Sequence, residues 1–175
     1  MIRSTRYILI LTFILLSSKS SFSQFINLQI RIEPEITAKV EQQLTFGDLV
    51  INSGQKIIGL GDVNMGVFSI RALYTQSIYL SLIAPQSLTH SNPAISDVIP
   101  IDLNLAYNNS GQNNSNRTTE LLNNFGYLQV YDNEALPRPE NIWQELYLYV
   151  YGTIDVGSVT FGEYSSDIIL IIEYD

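Results

Sequence analysis

The chain has 175 residues, 46% apolar and 15% charged, with no cysteine and one histidine. With the first 23 residues set aside as an export leader, six basic side chains stand against 17 acidic ones over 152 residues, a formal charge of −11. So few cations exclude a nucleic-acid surface. The apolar and aromatic content excludes wholesale disorder, and a chain of this length buries roughly 68–70% of its unfolded surface as a single domain.

In chain order, Arg3 and Arg6 come first, then an apolar run at 7–16 broken only by Thr12. Residues 17–23 are mostly small and polar, with Ser21 and Ser23 at the −3 and −1 positions of a cut before Gln24. This is the order of a secretory signal peptide. Ten apolar residues rise about 15 Å as a helix, too little for a hydrocarbon core of about 30 Å. The expectation is a removed leader at 1–23, one domain at 24–175, and no integral membrane segment in the mature chain. Its destination is the periplasm, the outer-membrane surface or the extracellular space. Without cysteine there is no thiol nucleophile, zinc–thiolate site or disulfide, and no lipoprotein anchor directly after the leader.

Beyond the leader the dominant period is two. Ile26, Leu28, Ile30 and Ile32 alternate with Asn27, Gln29, Arg31 and Glu33, which predicts a half-buried strand ended by Pro34. Further strands are predicted at 44–51, 56–60, 67–73, 77–84, 98–107, 126–131, 143–154 and 167–174. Asn52-Ser53-Gly54 reads as a turn, and 86–96 and 132–141 as loops. Residues 108–119, rich in Asn and Ser, predict an exposed loop running into a short helical turn near 120–123. The last strand is apolar on both faces, which predicts a place inside a sheet. Eight to ten strands with no helical period predict an all-β fold: two packed antiparallel sheets, immunoglobulin-like in topology.

Two segments carry a family resemblance. One is Leu44-Thr45-Phe46-Gly47-Asp48-Leu49; the other runs from Gly152-Thr153-Ile154 through Gly162-Glu163-Tyr164 to Asp175. Together they resemble the secreted β-sandwich family of unknown function that is similar to spore coat protein U and to fimbrial subunits. The tail is also similar to the ending of chaperone–usher pilus subunits: Gly162 is fourteenth from the end and Tyr174 penultimate. The resemblance implies that the final strand, with Ile168, Leu170, Ile172 and Tyr174, pairs with a chaperone or a neighbouring subunit's extension. The chain departs from many such pilins in having no disulfide. Residues 24–33 are read as completing the protein's own sandwich, with service as a donor strand the alternative.

The chemistry-bearing residues point away from catalysis. His90 stands in a loop-like context with no G-x-S-x-G elbow near it, and reads as a solvated side chain. Glu33 with Glu35, and Glu163 with Asp167, are acid pairs that 17 scattered carboxylates supply by chance. Asp62-Val63-Asn64-Met65-Gly66 opens like a calcium loop but lacks the later ligands, so a glycine turn is expected. Asn108, Asn113 and Asn116 begin formal glycosylation sequons that composition alone produces. Tyr147, Tyr149 and Tyr151 recur every second residue opposite Leu146, Leu148 and Val150, with Tyr127 and Tyr131 on the preceding strand. They read either as cross-strand cover, or a layer beneath the Asn-rich loop, or as an aromatic face for glycans or a partner protein. The expected function is an exported, non-catalytic structural or adhesive envelope protein without cofactor or metal. Its partners are other envelope proteins, copies of itself, or glycans; an accessory or plug role in an outer-membrane secretion complex is a further alternative.

Overall fold

The computed structural model describes residues 35–74, 76–130 and 143–175, all within the compact unit Pro34–Asp175. The leader, the strand expected at 26–32, Glu33, Tyr131 and the 132–141 connection lie outside the described residues. Those described contain eleven strands and no α-helix, and every pairing is antiparallel. In order they are β1 (Thr37–Gln42), β2 (Gly54–Ile58), β3 (Gly66–Leu73), β4 (Ser77–Ile83), β5 (Ser87–His90), β6 (Val98–Asn108), β7 (Thr119–Leu121), β8 (Phe125–Gln129), β9 (Trp143–Val156), β10 (Tyr164–Ser165) and β11 (Ile169–Tyr174). A single 3-10 turn, Leu122–Asn124, follows β7.

The large sheet runs β1-β3-β9-β6-β5-β10, with β2 also on β9 and β7 also on β6; the small sheet runs β11-β4-β8. Strand β9 is the hub. Its residues 143–150 pair with β3, 147–154 with β6, and 152–156 with β2. Strict alternation builds the core that both sheets share. Ile70 and Ala72 of β3, Leu103 and Leu105 of β6, and Leu146, Leu148 and Val150 of β9 pack with Ile78, Leu80 and Leu82 of β4 and Leu128 of β8. A one-residue slip of any of these strands would turn its apolar set to the other side, which pins the register.

Two hydrogen bonds link the small sheet to the large one. The Leu73 amide donates to the Tyr174 hydroxyl at 3.1 Å, joining β11 to β3. Asn124 Nδ2 donates to the Leu103 carbonyl at 2.8 Å, joining the approach to β8 to β6.

Four expectations need correction. Residues 44–51 form no strand: Gly47 takes φ 70°, and the segment crosses the end of the fold as a loop whose Thr45 amide bonds the Asn64 carbonyl. Residues 86–96 are not all loop, since Ser87–His90 pairs with both β6 and β10. Residues 108–119 do bury a side chain: Asn108 is 2% exposed, its amide nitrogen donating to the Asn114 carbonyl and its oxygen accepting from the Ser110 amide. Finally, β11 is an edge among the described residues and not a sheet interior. Its second apolar face is the exposed outer face of the small sheet, where Ile169 is 55% exposed.

Candidate functional site

The edge of β11 is the first component. The Asp175 amide donates to the Ser77 carbonyl at 3.0 Å, which fixes the phase of the ladder. In an antiparallel pair the backbone groups alternate in direction, so residues 169, 171 and 173 turn theirs toward β4 and residues 170, 172 and 174 turn theirs outward. The side chains of Ile168, Leu170, Ile172 and Tyr174 meanwhile pack half-buried against the shared core. The final strand therefore couples an apolar inner face to a row of outward-pointing backbone groups.

Where β11 begins, a trough of about 860 Å³ opens, lined by both apolar and polar residues. Ile99, Ile101, Ile154 and Val156 of the large sheet line it together with Leu44, Phe46 and Ile168. Asp48 and Glu163 are its charged lining residues, and both are acidic.

The rim segment 159–164 is held by two anchors. The Thr160 amide and hydroxyl both donate to Asp97 Oδ2, and these bonds hold the Asp97 carboxyl below its ordinary range. His90 supplies the other. Its Nδ1 accepts from the Asn92 amide at 2.8 Å, which leaves Nε2 to donate to the Phe161 carbonyl at 3.2 Å. The ring also packs edge-on to Tyr164, with centroids 5.0 Å apart. Gly162 is required here by close approach: a Cβ would overlap His90 Nε2 and lie 2.8 Å from Cε1. The glycine singled out by the resemblance thus seats the histidine ring, and it stands apart from β11. Neither nitrogen of His90 is poised over a serine; both are used on backbone.

The tyrosine ladder lies on the opposite face of the large sheet from the shared core. Tyr149 is 0% exposed, packed with Ile58, Met65 and Val67, and its hydroxyl donates to Asn113 Oδ1 at 2.9 Å. Tyr147 donates to Glu145 at 2.9 Å and Tyr151 to Glu120 at 2.8 Å. Burial, reinforced by those carboxylates, pushes both phenols up to about 12. The central ring of the three is covered by the Asn-rich loop, so they present no continuous face to a ligand. Tyr127 lies on the other sheet, 67% exposed, with its ring 5.0 Å from that of Tyr79.

The remaining candidates are local. Asp62 Oδ1 accepts from the Asn64 amide within a tight turn. Among the described residues no group of three or more His, Asp or Glu is placed to hold a metal ion, and no helix is long and apolar enough to cross a membrane.

The outer face of the small sheet escaped the reading of the sequence. Cross-strand register sets Ile169 beside Ile83, Ser81 between Ile171 and Phe125, and Tyr79 between Glu173 and Tyr127. Ile83 and Phe125 are each 50% exposed. The signal was present in the doubly apolar pattern of 168–172, which has the same form in a buried central strand and in a strand with a sticky outer face. No protein-family profile matches the chain, and no curated protein matches it.

Proposed function

We propose that this is an exported, non-catalytic structural or adhesive protein of the cell envelope, resembling a fimbrial subunit. In this reading an immunoglobulin-like sandwich, released from its leader at Gln24, works through sheet-face and strand-edge contacts with other envelope proteins or with copies of itself. The observation that carries it is the outer face of the small sheet, where Ile83 stands opposite Ile169, Phe125 and Tyr127 lie on the third strand, and all four are half or more exposed. Several exposed large apolar side chains on one sheet face mark a protein contact. The outward backbone row of β11 adds a second, directional means of contact.

Sedimentation velocity of residues 24–175 tests the reading, from about 1 µM to about 1 mM, the range in which weak envelope contacts form. The parent protein associates with rising concentration, and the double variant Phe125→Arg/Ile169→Arg does not. A parent that stays monomeric throughout, or a variant that associates equally well, overturns it.

A further inference from the structure

The trough where β11 begins is shaped before any ligand arrives. Its volume of about 860 Å³ falls inside the range of about 300–1,000 Å³ usual for small-molecule sites. Two of the segments that line it are fixed to the rest of the fold. The 44–51 loop is tied near its start by the Thr45 amide on the Asn64 carbonyl, and just past its end by the Asn52 amide on the Gly157 carbonyl. The 159–164 segment is tied by Asp97 through Thr160 and by His90 through the Phe161 carbonyl. Lining segments held in place lose little freedom when a ligand binds.

Three features of the lining define the ligand. The first is apolar: the cluster of Ile99, Ile154 and Val156 lines the trough, with Phe46, Leu88 and Tyr164 packed against it. Of the other lining residues Leu49 and Ile51 are exposed and Phe161 is 89% exposed, so large apolar side chains stand in water that a ligand would displace. The second is charge. No Lys or Arg is among the described lining residues, whereas Asp48 and Glu163 are. Neither of these carboxylates makes an ion pair or a side-chain hydrogen bond among the described residues. An anion would meet uncompensated repulsion there, and a cation finds two free partners. The third is aromatic: Phe46, Phe161 and Tyr164 all line the trough, and aromatic rings attract ammonium groups as well as apolar matter.

We propose that the trough binds a small amphiphilic ammonium compound, its apolar chain against Ile99, Ile154 and Val156 and its positive end toward Asp48 and Glu163. An apolar lining by itself accepts any hydrophobe, and carboxylates by themselves accept any cation. Their presence in one concavity selects a molecule that carries both. This site is separate from the outer face of the small sheet, with which it shares no residue named in the association reading.

Isothermal titration of residues 24–175 with decyltrimethylammonium and with decanoate, both below their micellar concentrations, separates charge from apolarity because the chains are matched. The cation binds saturably and on the order of tenfold more tightly than the anion. Asp48→Asn/Glu163→Gln weakens cation binding about fivefold, the worth of two exposed charge contacts, and narrows the gap to decanoate. Asp155→Asn/Glu173→Gln removes the same net charge outside the trough and leaves the affinity unchanged; both of these acids are exposed and neither lines it. Amide resonances that move on adding the cation fall within 44–51 and 159–168. Equal affinity for the two amphiphiles, no saturable binding, equal loss in the two double variants, or shifts that fall elsewhere overturns the inference. Shifts of the same amides on raising the protein concentration alone overturn it in favour of a second copy as the occupant. Association through the outer face is read separately by the Phe125→Arg/Ile169→Arg variant, so the two readings fail independently.

Discussion

Replacing Gly152 by alanine tests whether β9 is the hub that the register makes it. Gly152 sits mid-strand with Ile58 of β2 on one side and Leu103 of β6 on the other. An added Cβ overlaps the Asp102 carbonyl oxygen and lies 2.9 Å from Leu103 Cα and 3.0 Å from Asp102 C. All three atoms are backbone, so no rotamer change relieves the contact; β6 must move away from β9 across a ladder of eight residue pairs. Overpacking that forces backbone to shift costs about 3 kcal/mol, the upper part of the usual span. For a domain of this size that lowers Tm by roughly 6–12 °C. Thermal unfolding followed by far-ultraviolet circular dichroism measures it, with Gly126→Ala as the control. There the added Cβ meets only Leu121 Cδ2 at 2.8 Å, the far end of a flexible side chain. A Gly152→Ala protein that melts with the parent, or with the Gly126→Ala protein, would refute the close approach of β6 and β9.

Three further outcomes follow from the site. Tyr147 and Tyr151 titrate at about 12, above the ordinary tyrosine value of about 10. A raised value in the folded state means their contribution to stability is complete below the unfolded value and disappears as pH rises to about 12; tyrosinate absorbance should show late-ionising phenols, these two together with Tyr149 and Tyr164, whose values are also raised. Asp97 is held below its ordinary value by Thr160, so the rim anchor is intact above the ordinary carboxylate range and released as pH falls through the depressed value. Asp97→Asn should abolish that acid-side loss, read as hydrogen exchange of the Thr160 amide. Tyr149→Phe removes one hydrogen bond to Asn113 while keeping the ring, and should cost about 1 kcal/mol in chemical denaturation together with faster exchange across residues 108–118.

Much of the fold was legible because alternation leaves a direct record in sequence. Strands β3, β4, β6 and β9 carry apolar residues at every second position, and Ile70, Ile78, Leu80, Leu105 and Leu148 fall in the core as that pattern demands. Strand β1 was illegible: Thr-Ala-Lys-Val-Glu-Gln offers almost no apolar alternation, and it is a strand because the edge of β3 supplies a ladder. Strands β5 and β10, four and two residues long, are too short for a period to show. Residues 44–51 failed in the opposite sense. Their apolar side chains line a trough at the end of the fold, a position that composition does not separate from a strand.

By itself the sequence determined the chemistry of each strand: which residues want a dry partner, which suit water, and that a chain of short alternating runs without cysteine builds sheets. Such information is local, because side-chain direction along a strand depends only on the backbone period. Which strands become neighbours depends on contacts between residues far apart in the chain. Only the tertiary structure therefore decided that β11 is an edge among the described residues, that Tyr149 is buried with its hydroxyl on Asn113, and that Gly162 seats His90.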